Sequence, residues 1–145
     1  MKVVVQRVKK ASVEVNEKIV GKIDSGVLLL VGFTYDDDIE KLKWMARKIV
    51  NLRIFDDENG VLNLSLKDGG GSVLSVSQFT LYADPKKGNR PSYVNALNGE
   101  EAVILYDKFN EILRNDDIKV ETGMFGEEME VSLVNDGPIT IIVEK

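Results

Sequence analysis

The segment Val27-Leu28-Leu29-Leu30-Val31-Gly32-Phe33 holds the longest apolar run of the chain, and it decides the fold. A short, nearly continuous apolar run is typical of a strand that is covered on both faces. Downstream, Asp36, Asp37 and Asp38 place negative charge where a helix N-terminus favours it. Apolar residues then recur at helical spacing, at Ile39, Leu42, Met45, Ala46, Ile49 and Val50. The sequence therefore predicts a buried strand followed by an amphipathic helix.

Further strands are predicted before this one. Residues 3–8 are rich in β-branched side chains, which favours a strand. Residues 12–15 and 19–23 each alternate apolar with polar side chains, and Asn16-Glu17-Lys18 lies between them. Two alternating runs around a short polar break are typical of a hairpin.

A second helix is predicted after Asn98, which together with Glu101 resembles a capping box. Its apolar stripe consists of Ala102, Leu105, Tyr106, Phe109, Ile112 and Leu113. Ahead of it, Gly69-Gly70-Gly71 is expected to be a flexible link, and residues 73–81 are expected to form a strand. The last third of the chain, residues 118–144, has the pattern of strand pairs, broken at residues 123–128 and at Asn135-Asp136-Gly137.

Many strands with two main helices predict one α+β domain over residues 1–145, built on an antiparallel, barrel-like sheet. Strands do not alternate regularly with helices, which disfavours a doubly wound nucleotide-binding fold. No apolar run approaches the roughly 20 residues of a spanning helix, and residues 1–8 lack the pattern of a signal peptide. We therefore expect a cytoplasmic protein without a membrane partner.

The amino-acid composition limits the catalytic and metal-binding groups that the chain can offer. The chain has no Cys and no His, so thiol nucleophiles, Ser-His-Asp triads and histidine-ligated zinc sites are excluded. An enzyme of this composition uses backbone groups, hydroxyls, Lys, carboxylates or the substrate itself. We expect no cofactor and no metal, although a carboxylate-held magnesium site stays open on composition alone. The formal net charge of −5 disfavours binding of nucleic acid through bulk charge. Binding of a short nucleic-acid end by a local basic patch stays open.

Two segments concentrate polar or basic side chains. Residues 75–82, SVSQFTLY, have two interpretations. They form either a half-buried strand with a solvated face or a polar edge where Gln78 and backbone N–H groups bind a ligand. Residues 86–93, KKGNRPSY, read either as a solvated loop or as a phosphate site. In the second reading Lys86, Lys87 and Arg90 contact phosphate, and Tyr93 stacks.

Two further segments are ambiguous in the same way. Pro138 follows Asn135-Asp136-Gly137, and a proline there belongs in a plain turn, at a strand start or in a special turn. Phe125, Gly126 and Met129 form either a loop that holds a planar group or filler of the core.

In combination, these segments resemble the D-aminoacyl-tRNA deacylase family, also known as the D-tyrosyl-tRNA deacylases. The resemblance covers essentially the whole chain. Its motifs are Val5-Gln6-Arg7-Val8, Ala11-Ser12-Val13, Ala46-Arg47-Lys48-Ile49, Asn51-Leu52-Arg53-Ile54-Phe55, residues 77–84, 88–93 and 120–123, and residues 131–140. Small departures are Asn89 for a common Arg, Tyr93 for a common Phe and Ile139 for the usual Val.

The resemblance implies a homodimer whose active sites lie at the subunit interface. It implies hydrolysis of the ester between a D-amino acid, or a mischarged glycine, and the 3′-terminal adenosine of tRNA, which is chiral proofreading in translation. It also implies that Gly137-Pro138 has a cis peptide and enters the partner's pocket. There its carbonyls would capture the α-amino group and leave no room for an L side chain. No DNA partner is expected.

Residue roles follow from the same resemblance. Backbone N–H groups in the segment Ser77-Gln78-Phe79-Thr80, mainly those of Phe79 and Thr80, would stabilise the oxyanion, and the Gln78 amide would hold the ribose or carbonyl. Phe125, Gly126 and Met129 would line the adenosine side, and Lys86, Lys87 and Arg90 would contact tRNA phosphate. The terminal ribose 2′-OH would position or activate water. Two alternatives stay open: Thr80 as a nucleophile with a Lys as base, and a non-catalytic module that binds the tRNA end.

Overall fold

The computed structural model describes residues 1–69 and 71–145, so the predicted link at residues 69–71 includes Gly70, which lies outside the described residues. The strands are β1 (Lys2–Val15), β2 (Lys18–Ile23), β3 (Gly26–Gly32), β4 (Phe55–Asp56), β5 (Leu62–Leu64), β6 (Ser72–Ser77), β7 (Val120–Thr122) and β8 (Glu130–Glu144). The helices are α1 (Ile39–Val50), α2 (Leu66–Gly69) and α3 (Gly99–Arg114), with a 3-10 helix at Phe79–Tyr82.

Six strands form one sheet in the order β2-β1-β3-β6-β7, and β8 also pairs with β1. The first half of β1 lies between β3 and β8, and its second half lies between β2 and β8. The two ends of this order come close together. A Cβ at Gly21 of β2 would lie 2.5 Å from the Thr122 carbonyl oxygen of β7, so only glycine allows this approach. The sheet is therefore a nearly closed barrel.

The sheet is mixed, so the predicted purely antiparallel sheet is wrong. β3 pairs with β6, and β6 with β7, in parallel. α1 lies between β3 and β6 in the chain, and α3 lies between β6 and β7. A chain that crosses over through a helix starts its next strand in the same direction, which makes the pair parallel. The small β4-β5 hairpin and α2 interrupt this alternation and hide it in the sequence.

Local signals around the hairpin and the helix starts are confirmed. Asn16 and Glu17 link β1 to β2 with positive φ angles of 49° and 62°, as a type I′ hairpin turn requires. The side chain of Asp38 accepts the Lys41 N–H at 2.9 Å and caps α1. Asn98 accepts the N–H three residues later at 3.0 Å and caps α3. No helix within the described ranges is both long and apolar enough to cross a membrane.

Two expected strands differ from prediction. β6 ends at Ser77 and gives way to the 3-10 helix, so residues 73–81 are not one strand. The C-terminal third forms no strand pairs of its own: β7 pairs with β6, and β8 runs unbroken from Glu130 to Glu144 along β1. The 14-residue β1 offers one continuous template. Two register shifts, between Gln6 and Val8 and between Val8 and Lys10 of β1, absorb residues 136–139, so the chain does not turn back there.

Two apolar layers cover the sheet. Between the helices and the sheet lie Val3, Val27, Leu29, Met45, Ile49, Phe109 and Leu113; inside the barrel lie Val8, Val13, Ile23, Leu28, Leu74 and Val76. Neighbouring Leu28 and Leu29 of β3 point into different layers, and both are buried. The prediction of a strand covered on both faces is confirmed.

The packing of α3 predicts a large difference between two of its apolar side chains. Phe109 is completely buried, whereas Ile104 is 67% exposed. We expect Phe109→Ala to lower the free energy of unfolding by about 3–5 kcal/mol, because it removes contacts and leaves a cavity. Ile104→Ala, the matched control on the same helix, should change it by no more than about 0.5 kcal/mol. Urea unfolding measures both, and a loss below about 1 kcal/mol for Phe109→Ala would contradict this packing.

Candidate active site

A cavity of about 530 Å³ opens where β3 and β6 end. Because these strands are parallel, their carboxyl ends meet at one edge of the sheet, where open α/β sheets commonly bind ligands. The start of α3 and the loop between β7 and β8 complete the walls. The apolar part of the lining consists of Val31, Phe33, Val76, Leu97, Ala102 and Val131.

Ser77, Gln78 and Phe79 form the polar wall of this cavity. The Gln78 N–H donates to the Val31 carbonyl at 2.7 Å, which ties the end of β6 to β3. The 3-10 helix then begins at Phe79. The first N–H groups of a helix have no acceptor within it, and no other described backbone carbonyl accepts those of Phe79 or Thr80. Two backbone donors are therefore available to an oxygen atom at this edge.

Thr80 is exposed and does not belong to the cavity lining. Its hydroxyl oxygen accepts a hydrogen bond of 2.5 Å from Gln78 Nε2. Among the described residues, neither a Lys Nζ nor a carboxylate oxygen forms a hydrogen bond with this hydroxyl. The side chain thus lacks the activating base that a hydroxyl nucleophile needs.

Phe125, Gly126 and Met129 form a second wall of the cavity, from the loop between β7 and β8. A Cβ at Gly123 would lie 2.6 Å from the Met129 sulfur, so the missing side chain lets Met129 pack closely against the loop backbone. This wall combines an aromatic ring and a thioether, which suits the flat face of an organic ring.

Tyr106 of α3 supports this wall from behind. Its hydroxyl donates to the Ser75 carbonyl at 2.8 Å, and its ring lies 5.7 Å from that of Phe125. Burial raises the pKa of the Tyr106 phenol, so the hydroxyl stays protonated and remains a donor. The sequence presents Tyr106 only as one member of an apolar stripe. Its supporting contacts depend on partners from distant segments, which periodicity does not reveal.

The basic loop lies beside the cavity. Asp84 and Ser92 exchange two backbone hydrogen bonds of 2.8 and 3.0 Å and thereby close its base. Tyr93 packs edge-to-face against Phe79, with the ring centres 5.2 Å apart. Lys86, Lys87 and Arg90 are all exposed at the tip of this loop. The aromatic contact therefore joins the basic loop to the polar wall.

Gly137 and Pro138 are not brought to the cavity of their own chain. They are exposed on β8, are joined by a cis peptide bond, and are absent from the described cavity lining. Arg7, only 5% exposed, braces the segment. Its Nε donates to the Asp136 carbonyl at 3.2 Å, and its Nη1 donates to the Ile54 carbonyl at 2.8 Å.

Sequence reasoning did not assign this role to Arg7, although a signal exists. Val3, Val5 and Arg7 share one face of β1, and all three are buried. A charged residue in a register that is otherwise buried is rare unless it is paired. Arg7 is paired with carboxylate oxygens of Asp56 and Asp136, each at 3.3 Å.

Known proteins resemble this chain over nearly its whole length. A family model described as D-Tyr-tRNA(Tyr) deacylase matches residues 4–144. The D-aminoacyl-tRNA deacylase of Bacillus velezensis is 56% identical over 144 residues, which cover 99% of this chain and 98% of the relative. That of Thermosipho africanus is 55% identical over 99% of this chain and 97% of the relative.

Two solved structures share the fold. One, titled "c-Myc DNA Unwinding Element Binding Protein", has a TM-score of 0.94 and 41% identity and covers 100% of this chain and 99% of its own. The other, described as a probable eukaryotic D-amino acid tRNA deacylase, has a TM-score of 0.84 at 21% identity, over 98% of this chain and 97% of its own, and supports the fold alone. With more than half of its residues identical over nearly the full length of curated relatives, this chain belongs to the D-aminoacyl-tRNA deacylase family and, like them, is a hydrolase.

Proposed function

We propose that this enzyme removes D-amino acids, and mischarged glycine, from the 3′-terminal adenosine of tRNA, and thereby proofreads chirality in translation. One observation supports this proposal: the same cavity is lined by Phe79, whose backbone N–H has no backbone acceptor among the described residues, and by an aromatic and thioether wall. The N–H groups of Phe79 and its neighbour Thr80 suit the carbonyl oxygen of an ester, and the wall of Phe125, Gly126 and Met129 suits the adenine ring. The alternative of a non-catalytic module is wrong, because the relatives are named as deacylases over the full chain.

The chemistry needs few side chains. Water attacks the ester carbonyl, and the resulting tetrahedral oxyanion accepts hydrogen bonds from the N–H groups of Phe79 and Thr80. Collapse breaks the ester bond, so that the amino acid leaves as the acid and the ribose regains its 3′-OH. Glu127, exposed on the adenosine side, is the one titratable side chain among the described residues of the wall. We assign movement of the proton to the neighbouring ribose 2′-OH of the substrate.

The first test removes one backbone donor. Phe79 occupies the first position of the 3-10 helix, where proline is tolerated, and Gln78 before it has an extended φ of −148°. We expect Phe79→Pro to lower kcat by about 10²–10³-fold relative to Phe79→Ala, since only the proline variant lacks the N–H. Single-turnover hydrolysis of D-tyrosyl-tRNA measures this, and equal rates for the two variants would remove the Phe79 N–H from the mechanism.

The second test separates the Thr80 hydroxyl from the substrate hydroxyl. Thr80→Ala keeps the backbone N–H, so the rate should stay within about tenfold of the unmodified enzyme. Replacing the terminal 2′-OH of the tRNA by hydrogen should slow the unmodified enzyme by about 10²–10⁴-fold, the usual range for a group that moves a proton. A loss beyond about a thousandfold for Thr80→Ala, with the fold intact by circular dichroism, would return the hydroxyl to the mechanism. Unchanged hydrolysis of the 2′-deoxy substrate would refute assistance by the RNA.

Selection of D substrates is assigned to Gly137-Pro138 of a second subunit. The pair is exposed and absent from the lining of its own cavity, and Arg7 holds the preceding Asp136, so the pair is available to another copy. The outer face of β8 also exposes Val134 and Ile142, which are 42% and 67% accessible and suit a homodimer contact. In that position the backbone carbonyls accept hydrogen bonds from the α-amino group of the substrate. The side chain of an L-amino acid would clash with the main chain of Gly137-Pro138. Glycine has no side chain to exclude.

Complementation tests whether the site is shared. Gly137 has a φ of +120°, and an added Cβ would lie 3.0 Å from Ile139 Cγ1, so Gly137→Ala should disturb the selecting segment. A heterodimer of Gly137→Ala with Phe79→Pro, purified through two different tags, contains one site with both surfaces intact. We expect it to hydrolyse D-tyrosyl-tRNA at about half the unmodified rate, while both homodimers are nearly inactive. An inactive heterodimer would show that each site is built from one chain.

The basic loop is assigned to the phosphates next to the terminal adenosine. Lys86, Lys87 and Arg90 are exposed beside the mouth, and the Tyr93–Phe79 contact fixes the loop there. A local patch of three cations on a chain of net charge −5 contacts a few phosphates and provides no bulk attraction for duplex nucleic acid. We therefore propose the 3′ end of aminoacyl-tRNA, and not DNA, as the partner of this loop.

A further inference from the structure

A second groove, of about 510 Å³, lies at the C-terminal end of α1 and differs in charge from the catalytic cavity. It is lined by Trp44, Arg47, Lys48, Asn51, Leu52 and Arg53, and its lining contains no carboxylate. Two other surface clefts on the described chain mix cations with carboxylates, as in the pairs Lys67 with Asp116 and Lys2 with Glu144. In a chain of net charge −5, this groove is a local positive site.

Among the described residues, the cations of the groove form no ion pair, although Arg53 lies near enough to Asp68 to add to the lowering of that pKa, which hydrogen bonds from Ser65 cause in the main. Within the described ranges, no carboxylate lies within 4.0 Å of the charged groups of Arg47, Lys48 or Arg53. Lys145 lies next to this lining, because its Nζ is 5.1 Å from the centre of the Trp44 ring. Cations that converge without carboxylate partners retain their capacity to bind an anion.

Arg53 is also held in place. Its Nε donates to the Asn63 carbonyl at 2.8 Å, and its Nη2 donates to the side-chain oxygen of Asn63. Both acceptors are neutral, so they orient the guanidinium without cancelling its charge. A guanidinium oriented in this way is well suited to phosphate, which it binds through paired N–H groups.

The helix dipole accounts for only part of this cluster. Arg47 and Lys48 lie in the last turn of α1, where cations are favoured by the partial negative charge of the helix end. Arg53 lies outside the helix, yet it lines the same groove. Asn51 moreover caps two terminal carbonyls, donating from its backbone N–H to Ile49 and from Nδ2 to Arg47. The capped carbonyls therefore repel a bound anion less than the free carbonyls of an uncapped helix end would.

We propose that this groove binds the phosphate backbone of the tRNA substrate at a distance from its 3′ end. The proposal rests on the proposed function, because that function brings the tRNA to the enzyme. α1 begins six residues after Phe33 of the cavity wall, and its 12 residues extend about 18 Å. Stacked nucleotides advance about 3.4 Å each along a strand, so about five nucleotides span the length of α1. The groove then adds affinity for whole tRNA without contributing to the chemistry.

The test compares substrates of different length. We expect the double variant Arg47→Gln/Lys48→Gln to raise KM for full-length D-tyrosyl-tRNA by about tenfold or more at unchanged kcat. The slope of log KM against log salt should fall by about one for each phosphate contact that is lost. For a D-tyrosylated CCA trinucleotide, which is too short to reach the groove, both constants should be unchanged.

The matched control is Lys18→Gln/Lys22→Gln, which removes the same charge from exposed positions on β2. It should leave both substrates unaffected. An equal rise in KM for the control, an equal rise for the trinucleotide, or no rise for the full-length tRNA would overturn the proposal. Failure of the unmodified enzyme on both substrates would refute the proposed function instead. In that case anisotropy titration with uncharged tRNA still tests whether the groove binds RNA. The proposal predicts weaker binding for Arg47→Gln/Lys48→Gln and unchanged binding for the control.

Discussion

The pairing of β1 with three other strands is the constraint on which the rest of the structure depends. β1 pairs with β3 and β8 through its first half and with β2 and β8 through its second half, so its 14 residues organise both ends of the barrel. Buried side chains on β1 belong to both apolar layers, Val3 and Val5 under the helices and Val8 and Val13 inside the barrel. Because β1 fixes β3, it also fixes the parallel edge on which β6 ends and the cavity opens.

Two functional features follow from opposite sides of this arrangement. On the β3 side, the parallel pairing with β6 delivers Ser77, Gln78 and Phe79 to the cavity and leaves backbone N–H groups free at the start of a short helix. On the β8 side, the register shift against β1 turns Gly137 and Pro138 outward, and Arg7 of β1 holds them there. One strand therefore positions both the turn to which we assign the oxyanion contacts and the segment to which we assign selection.

Local features of the fold were predictable from sequence, because short-range physics determines them. The apolar run at residues 27–33, the caps at Asp38 and Asn98 and the hairpin at Asn16 each depend on residues close in sequence. The parallel strand direction and the unbroken β8 were not predictable in this way. Both depend on which distant strand supplies the pairing edge, and β1 overrides the turn signal at residues 135–137 by offering hydrogen bonds on both sides of it.

The site likewise has features that short sequence motifs reveal and features that depend on distant contacts. The candidate residues came from motifs, and the structure places Phe125, Gly126 and Met129 on one wall and Ser77, Gln78 and Phe79 on the other. Arg7 and Tyr106 were missed because each acts through contacts that span many residues, from Arg7 to Asp136 and from Tyr106 to Ser75. A chain without His or Cys has little side-chain chemistry to offer an ester, so precision must come from the backbone. Buried, hydrogen-bonded residues such as Arg7 and Tyr106 hold a backbone in a fixed position, because breaking either contact leaves a buried polar group without a partner.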